Sequence, residues 1–206
     1  GSGLNPLMLS AEQQAGCSHL LHATGQALLR REEGHVLWLT AADASTVDGL
    51  EAQWQDALVG AVAVVVDDVD AFAYHEVWRH QLGLLLDHGL NLGVRVVVGS
   101  HRPVDEFPPS RLKDVLRSSS MADLSAPRAP TLMAFGRWRC AQRNLLISDR
   151  HLAQLSRMEP SGWRSMEQRL ERLTMALEQG AVLLDHDDVN ALIEGERPTT
   201  AVTEDQ

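Results

Sequence analysis

The residues best suited to chemistry form the octet AEQQAGCS, at positions 11 to 18, directly after a short apolar run. A phosphate-binding loop has the form G-x-x-x-x-G-K-[ST], in which glycines expose backbone N–H groups, lysine reaches the phosphates and the hydroxyl holds magnesium. Gly16 and Ser18 match this form, whereas Ala11 stands at the first glycine and Cys17 at the lysine. The octet therefore has the frame of such a loop without most of its phosphate contacts.

A pair of acids, Asp67 and Asp68, follows the buried run AVAVVV. Carboxylates at the end of a buried parallel strand can hold a magnesium ion and its waters. The same acids can also simply terminate the strand and keep its end soluble. The residues alone leave both interpretations open.

The octet also holds one of only two cysteines, Cys17 and Cys140, which we expect to be reduced. A thiol at a helix N-terminus can be nucleophilic, but no general base is identifiable, so a small residue filling the loop is the simpler interpretation. His19 and His22 share a helix face and could suggest a metal, yet we predict no metal site.

The elements that would position these residues alternate between strand and helix. Apolar runs and helical spacing predict this order up to residue 110, and only helices after it. The predicted strands are 5–10, 35–41, 61–72 and 94–100; the predicted helices are 16–34, 45–58, 74–89, 110–120, 129–144, 148–158, 162–180 and 185–195. Such alternation predicts an α/β protein with a parallel sheet, followed by a small helical subdomain.

Composition limits the classes of function. The chain has 206 residues with a net charge of −10, which disfavours nonspecific nucleic-acid binding, although residues 111–172 hold 12 basic against 6 acidic side chains. No apolar run is long enough to span a bilayer and no signal segment opens the chain, so we expect a cytoplasmic location without membrane contact. The opening Gly-Ser-Gly suggests that the native chain extends further.

Five segments in order resemble the DnaA/Hda-like AAA+ family of bacterial replication proteins. The octet's flanks, NPL and HLLHATG, fit without a gap; VVVDDVDAF is similar to the family's Walker B strand, VVVGSHRP to its sensor 1 strand, LKDVLRSSS to its arginine-finger helix and GWRSMEQRL to its sensor 2 helix. The resemblance covers roughly residues 5–195. It implies a three-layer AAA+ P-loop sandwich with a parallel sheet, over 4–122, and a helical lid over 123–196. The polar composition of the C-terminal end predicts a disordered tail over 197–206.

The resemblance also assigns roles to individual residues. It implies that Asp67 and Asp68 order magnesium and that Arg164 reaches the nucleotide phosphates from the lid. Cys17 replaces the lysine, and Ser119 falls at the arginine-finger position. His101 replaces an acidic residue common after the sensor 1 strand. Lys113 or Arg117 could substitute for the arginine finger.

These departures predict a pseudo-ATPase, with no catalytic residue and no cofactor, that acts as a regulatory or scaffolding module through protein contacts. The expected partners are DnaA, another replication factor or the rest of a longer chain, without direct DNA binding. The alternative is a switch of the Hda kind that still binds ADP or ATP with magnesium at Gly16, Cys17, Ser18, Asp67, Asp68 and Arg164. A thiol enzyme using Cys17 is a third hypothesis. Because a ring needs a finger and a nucleotide at each junction, we expect a monomer or dimer rather than a hexamer.

Overall fold

The structure is a computed structural model that describes residues 4–43, 54–178, 189–191 and 193. The chain divides into two compact units, Gly1–Ser125 and Ala126–Gln206. The predicted boundary after residue 122 lies three residues before this division. Each unit has its own hydrophobic core.

A five-stranded parallel sheet forms the centre of the first unit, with the strand order β2-β3-β4-β1-β5. The strands are β1 (Leu7–Ala11), β2 (His35–Leu39), β3 (Ala61–Val66), β4 (Arg95–Ser100) and β5 (Ser120–Leu124). The helices are α1 (Cys17–Leu29), α2 (Trp54–Leu58), α3 (Val69–Ala73), α4 (Glu76–Asn91) and α5 (Arg111–Arg117), with a 3-10 turn at Val104–Glu106. This is the predicted α/β architecture with a parallel sheet.

The composition of the central strands explains the layering. The run AVAVVV in β3 has no polar alternation, as expected for a parallel strand covered on both faces. One face of the sheet packs against α3, α4 and α5, with Val64, Phe72 and Leu86 in that core. The other face packs against α1, with Val65 and Leu21 in a second core. Two helical layers therefore enclose the sheet.

The second unit is helical throughout its described part. It contains α6 (Ala129–Arg143), α7 (Asp149–Leu155) and α8 (Trp163–Glu178), whose apolar faces share a core that includes Leu132, Leu152 and Met166. Gly136 lets α6 approach its neighbours, since a methyl group there would lie 2.6 Å from Met166 Cε. None of the described helices of either unit combines the length and the apolar character needed to cross a membrane.

Three sequence predictions of elements need correction. The apolar run at 61–72 is not one strand, because β3 ends at Val66 and residues 69–73 form α3. The predicted all-helical region after residue 110 contains β5, which pairs in parallel with β1. The helix predicted over 110–120 is shorter, because α5 ends at Arg117 and β5 begins at Ser120.

Other predictions fall outside the described residues. Most of the helix predicted over 185–195, the tail 197–206 and the start of the helix predicted over 45–58 belong to this group. The remaining predicted helices and strands correspond to observed elements, with ends that differ by a few residues.

Candidate functional site

The parallel sheet brings the ends of three strands together at one edge. β1 ends at Ala11, β3 at Val66 and β4 at Ser100. Ser10 pairs with Ser100, and Val66 pairs with Val98, so the segments that follow these strands are neighbours. The octet, the acid pair and His101 therefore meet at the carboxyl edge of the sheet, which is where ligands bind in open α/β folds.

Backbone contacts hold the loop between β1 and α1. The Glu12 N–H donates to the Leu124 carbonyl at 2.9 Å, and the Ala15 N–H donates to the Glu12 carbonyl at 3.2 Å. Gln14 and Gly16 have positive φ values, 61° and 94°, and Gly16 precedes the first turn of α1. Ser18 is exposed in that first turn. The loop thus connects the end of β1 directly to the start of α1, with positive φ values at two of its residues.

Cys17 points at the sheet and not out of the loop. Its side chain is 4% exposed and packs in the core shared by α1 and the sheet. A methyl group at Gly99 of β4 would lie 2.6 Å from Cys17 Sγ, so the thiol sits directly on the glycine backbone. Burial, and then the nearby Asp67, Asp68 and Asp70 carboxylates, raise the pKa of Cys17 to about 11. The thiol is therefore neutral at physiological pH and packs as a small apolar group.

Asp67 and Asp68 differ in their surroundings. The Asp67 N–H donates to the Leu39 carbonyl at 2.8 Å, while its Oδ1 atom is buried without a hydrogen-bond partner. Asp68 has a left-handed backbone, with φ 53°, and its Oδ1 lies 3.3 Å from His101 Nε2. Burial and repulsion from Asp67 raise the pKa of Asp68, and His101 opposes that rise. The site thus concentrates negative charge that His101 offsets in part.

His101 contacts all three strand ends. Its Nδ1 lies 2.8 Å from the Ala11 carbonyl, its Nε2 contacts Asp68, and its backbone N–H donates to Asp70 Oδ1 at 3.2 Å. Because a carbonyl oxygen only accepts, the Nδ1 atom must carry the proton. The sequence flagged His101 only as a departure from the family pattern and gave no sign of these contacts.

Asp70 is a site residue that sequence reasoning missed. Its Oδ1 accepts the backbone N–H of His101 and also lies 3.3 Å from Ser100 Oγ. Ser100 Oγ in turn donates to the Arg102 carbonyl at 2.8 Å. The third acid of the DDVD stretch therefore fixes the turn after β4, and only its place after a buried strand could have suggested such a role.

The two residues proposed as finger substitutes make local contacts in the first unit. Lys113 Nζ donates to the carbonyls of Asp105 and Phe107, at 2.7 and 2.6 Å. Arg117 pairs with Asp105, with NH2 to Oδ1 at 2.6 Å, and this pair lowers the pKa of Asp105. Ser119, at the finger position, lies 3.4 Å through its hydroxyl from the Val115 carbonyl.

Arg164 belongs to the second unit. It is exposed near the start of α8, and within the described part of the chain no hydrogen bond or ion pair holds its guanidinium. Its role at the nucleotide remains what the resemblance implies.

The histidines of α1 serve packing or face solvent. His22 stacks on Trp38, with ring centroids 4.4 Å apart, and His19 is exposed. No group of three His, Cys, Asp or Glu side chains suited to a metal ion occurs within 4–43, 54–178 and the described residues after 188.

The resemblance to AAA+ proteins implies a nucleotide bound together with magnesium. The residues of this site suit the magnesium ion better than they suit the phosphates. The acid pair, with the buried and unpartnered Asp67 Oδ1, suits a hard cation. The loop does not suit the phosphates, because Cys17 faces the sheet and the nearby charges are mostly carboxylates. The residues therefore do not fit a nucleotide as a whole.

Sequence comparison finds similarity to replication initiators. The chain is 22% identical over 178 residues to the chromosomal replication initiator protein DnaA of Thermoanaerobacter sp. (strain X514), which covers 82% of this chain and 40% of that protein. The DnaA of Caldanaerobacter subterraneus subsp. tengcongensis gives the same identity and coverage. The chain thus spans about 40% of the length of these relatives. None of the profiles that define known protein families matches it.

Structural comparison gives the same answer about the fold. Domain III of the Thermotoga maritima replication initiation protein DnaA superposes with a TM-score of 0.77 at 16% identity, over 93% of this chain and 84% of that one. AMPPCP-bound DnaA from Aquifex aeolicus gives 0.70 at 17%, over 86% and 57%. The Thermotoga maritima RuvB branch migration motor gives 0.67 at 12%, over 93% and 61%. The chain has the AAA+ fold of DnaA domain III, and the resemblance to DnaA seen in the sequence is confirmed.

Proposed function

With a DnaA-like AAA+ domain as the premise, we propose that this chain is a nucleotide-independent regulatory or scaffolding module that acts through contacts with other proteins. The observation that carries the proposal is the orientation of Cys17. Where a P-loop has a lysine, this chain has a neutral thiol packed against Gly99. Nothing in that position can pair with a phosphate.

Magnitudes favour lost nucleotide binding over merely weakened binding. A hydrogen bond between a lysine and a phosphate contributes about 1.5 to 3 kcal/mol, so its loss alone lowers affinity about tenfold to a hundredfold. The carboxylates of Asp67, Asp68 and Asp70 all act on the Cys17 position, and they would repel a phosphate there as well. We expect affinity for ATP in the millimolar range or weaker, and no turnover.

The partner class follows from the relatives. The proteins with detectable sequence identity are replication initiators, so we propose a role in replication control in the bacterial cytoplasm. A DnaA protein, another replication factor or a further part of the same chain is the partner to test. We propose no direct DNA binding, because the net charge is −10.

Calorimetry with ATP and ADP, in magnesium, tests the proposal. We expect no binding heat at ligand concentrations up to a millimolar. The matched control is the Aquifex aeolicus DnaA, studied under the same conditions with AMPPCP, the ligand in its solved structure. A dissociation constant below about 10 μM for this chain would overturn the proposal.

A second candidate, a nucleotide-responsive switch of the Hda kind, has one observation in its favour. The acid pair persists, and Asp67 Oδ1 is buried without a partner, as expected for a group that receives a cation. This candidate predicts nucleotide binding that requires magnesium and disappears in EDTA or in Asp67→Asn. The third hypothesis, a thiol enzyme, has burial and the raised pKa of Cys17 against it.

A further inference from the structure

His101 joins two segments at this edge, the carbonyl that begins the loop, at Ala11, and the carboxylate of Asp68. The Nδ1 contact is 2.8 Å and the Nε2 contact is 3.3 Å, so one imidazole spans the gap between the ends of β1 and β3. We call these two contacts the histidine bridge.

We propose that the histidine bridge is the chain's own clamp on the former nucleotide loop, holding residues 11–16 against the end of β3 without any bound ligand. This inference rests on the proposed function in one respect, namely that the loop holds no nucleotide. In that case the edge needs some other group to join the loop to the acids, and His101 has the reach and the hydrogen-bonding groups to do so.

Three contacts fix the position of the ring. Its Nδ1 donates to the Ala11 carbonyl, and its Nε2 lies 3.3 Å from Asp68 Oδ1. A backbone bond from the His101 N–H to Asp70 Oδ1, at 3.2 Å, orients the residue that carries the ring. The bridge is therefore anchored at its base as well as at both ring nitrogens.

Two substitutions separate the arms of the bridge. His101→Ala removes both ring contacts. His101→Asn places an amide close to the position of Nδ1, so it keeps a donor for the Ala11 carbonyl but cannot reach Asp68. His19→Ala is the matched control, since His19 is an exposed histidine of α1 near the same loop.

Hydrogen exchange on the whole chain, without nucleotide, reads the effect of each change. We expect His101→Ala to accelerate exchange at the loop amides of Glu12 and Ala15 and at residues 67–70 by about tenfold or more, with little change in the second unit. His101→Asn should accelerate exchange only in the turn after β3. His19→Ala should accelerate exchange in neither region. A merely structural role would instead raise exchange over the whole first unit.

A double-mutant cycle gives an independent measure. If His101 and Asp68 act together, Asp68→Asn should have a smaller effect on exchange of residues 11–16 in the His101→Ala background than in the unmodified chain. Additive effects, or loop exchange unchanged in His101→Ala, would overturn the clamp. Neither result depends on nucleotide, so calorimetry decides the proposed function separately.

Discussion

Cys17 lies where a phosphate-binding loop has its lysine, and its surroundings explain why a small residue suits that place. The thiol contacts the Gly99 backbone and shares a core with Leu21, so a longer side chain would have to leave this space. The sequence located the replacement and offered two interpretations, a reactive thiol or a filler. It could not reveal where the side chain points, because that depends on the closeness of β4 to α1.

The reactivity of Cys17 gives the first prediction. In a Cys140→Ser variant, Cys17 should react with a thiol reagent at pH 7.5 at least about a hundredfold more slowly than a small free thiol, since its pKa is raised from 9.0 to about 11. The rate should rise to that of a free thiol in denaturant. Labelling of the native protein as fast as glutathione would contradict the buried orientation.

The raised pKa of Cys17 also predicts the direction in which folding stability changes with pH. The folded protein holds the thiol proton more tightly than the unfolded chain, so this group does not reduce stability below about pH 9. As the pH rises from about 9 to 11 the unfolded chain ionises first, and stability falls. Urea unfolding should show a smaller alkaline loss in Cys17→Ala than in the unmodified chain.

No sequence pattern predicted a role for Arg169. It is 6% exposed in α8, and its guanidinium donates to the Leu155 carbonyl at 3.1 Å and the Pro160 carbonyl at 2.8 Å. Burial lowers its pKa. The Arg169 side chain holds the segment between α7 and α8 through these two hydrogen bonds. The arrangement depends on where that segment turns, which the spacing of residues within α8 does not show.

We predict that Arg169→Met destabilises the protein by about 2 kcal/mol, because two carbonyls lose a charged donor. The measurement is urea unfolding followed by circular dichroism. Arg164→Met is the matched control in the same helix, because Arg164 is exposed, and it should change stability by no more than about 0.5 kcal/mol. Equal effects of the two changes would show that Arg169 does not hold the segment.

At the scale of elements, the sequence was informative where burial is complete. The runs that became β3 and β4 lack polar alternation, which identifies strands enclosed on both faces. β5 lacks that signal because three of its residues, Met121 to Asp123, are exposed and, among the described strands, it pairs only with β1. α3 was hidden for the opposite reason, since only Asp67 and Asp68 separate its apolar residues from those of β3.

The contact between α4 and α5 provides an element-scale prediction with a matched pair of glycines. A methyl group at Gly83 would lie 2.7 Å from the Leu112 backbone nitrogen, whereas one at Gly89 would have Leu58 Cδ2 as its nearest neighbour, at 3.6 Å. Gly83→Ala should therefore destabilise the protein by about 1 to 3 kcal/mol. Gly89→Ala, in the same helix, should stabilise it by up to about 1 kcal/mol. Thermal unfolding of both variants checks this, and loss of stability in both would contradict the close approach of α5.

At the scale of the whole molecule, the order of the motifs along the chain predicted the fold. That order predicted an AAA+ sandwich with a parallel sheet, and the structure superposes on DnaA domain III with a TM-score of 0.77. The candidate site was predictable only in part. Its positions came from the sequence, but its contacts, above all those of His101 and Asp70, depend on which strand ends are neighbours.

The assembly state is the prediction that belongs to this scale. We expect one or two copies of the 22.6 kDa chain in solution, with or without ATP. The reasons are the serine at the finger position and the local contacts of Lys113 and Arg117 in the first unit. Size-exclusion chromatography with light scattering measures the mass, and a hexamer that forms only with nucleotide would contradict the prediction.

The position of β5 has a consequence for how the chain is made. β1 is the first strand of the described sheet in chain order and lies between β4 and β5. Leu7 pairs with Ser120 of β5, so β1 gains its second neighbouring strand only when the end of the first unit has been made. Such distant pairing closes late in folding. During synthesis the loop between β1 and α1 therefore remains unfinished until β5 has emerged from the ribosome, because the Leu124 carbonyl also receives the Glu12 N–H. A nascent chain stalled before residue 120 would present an open β1 edge, which is a natural site for chaperone recognition.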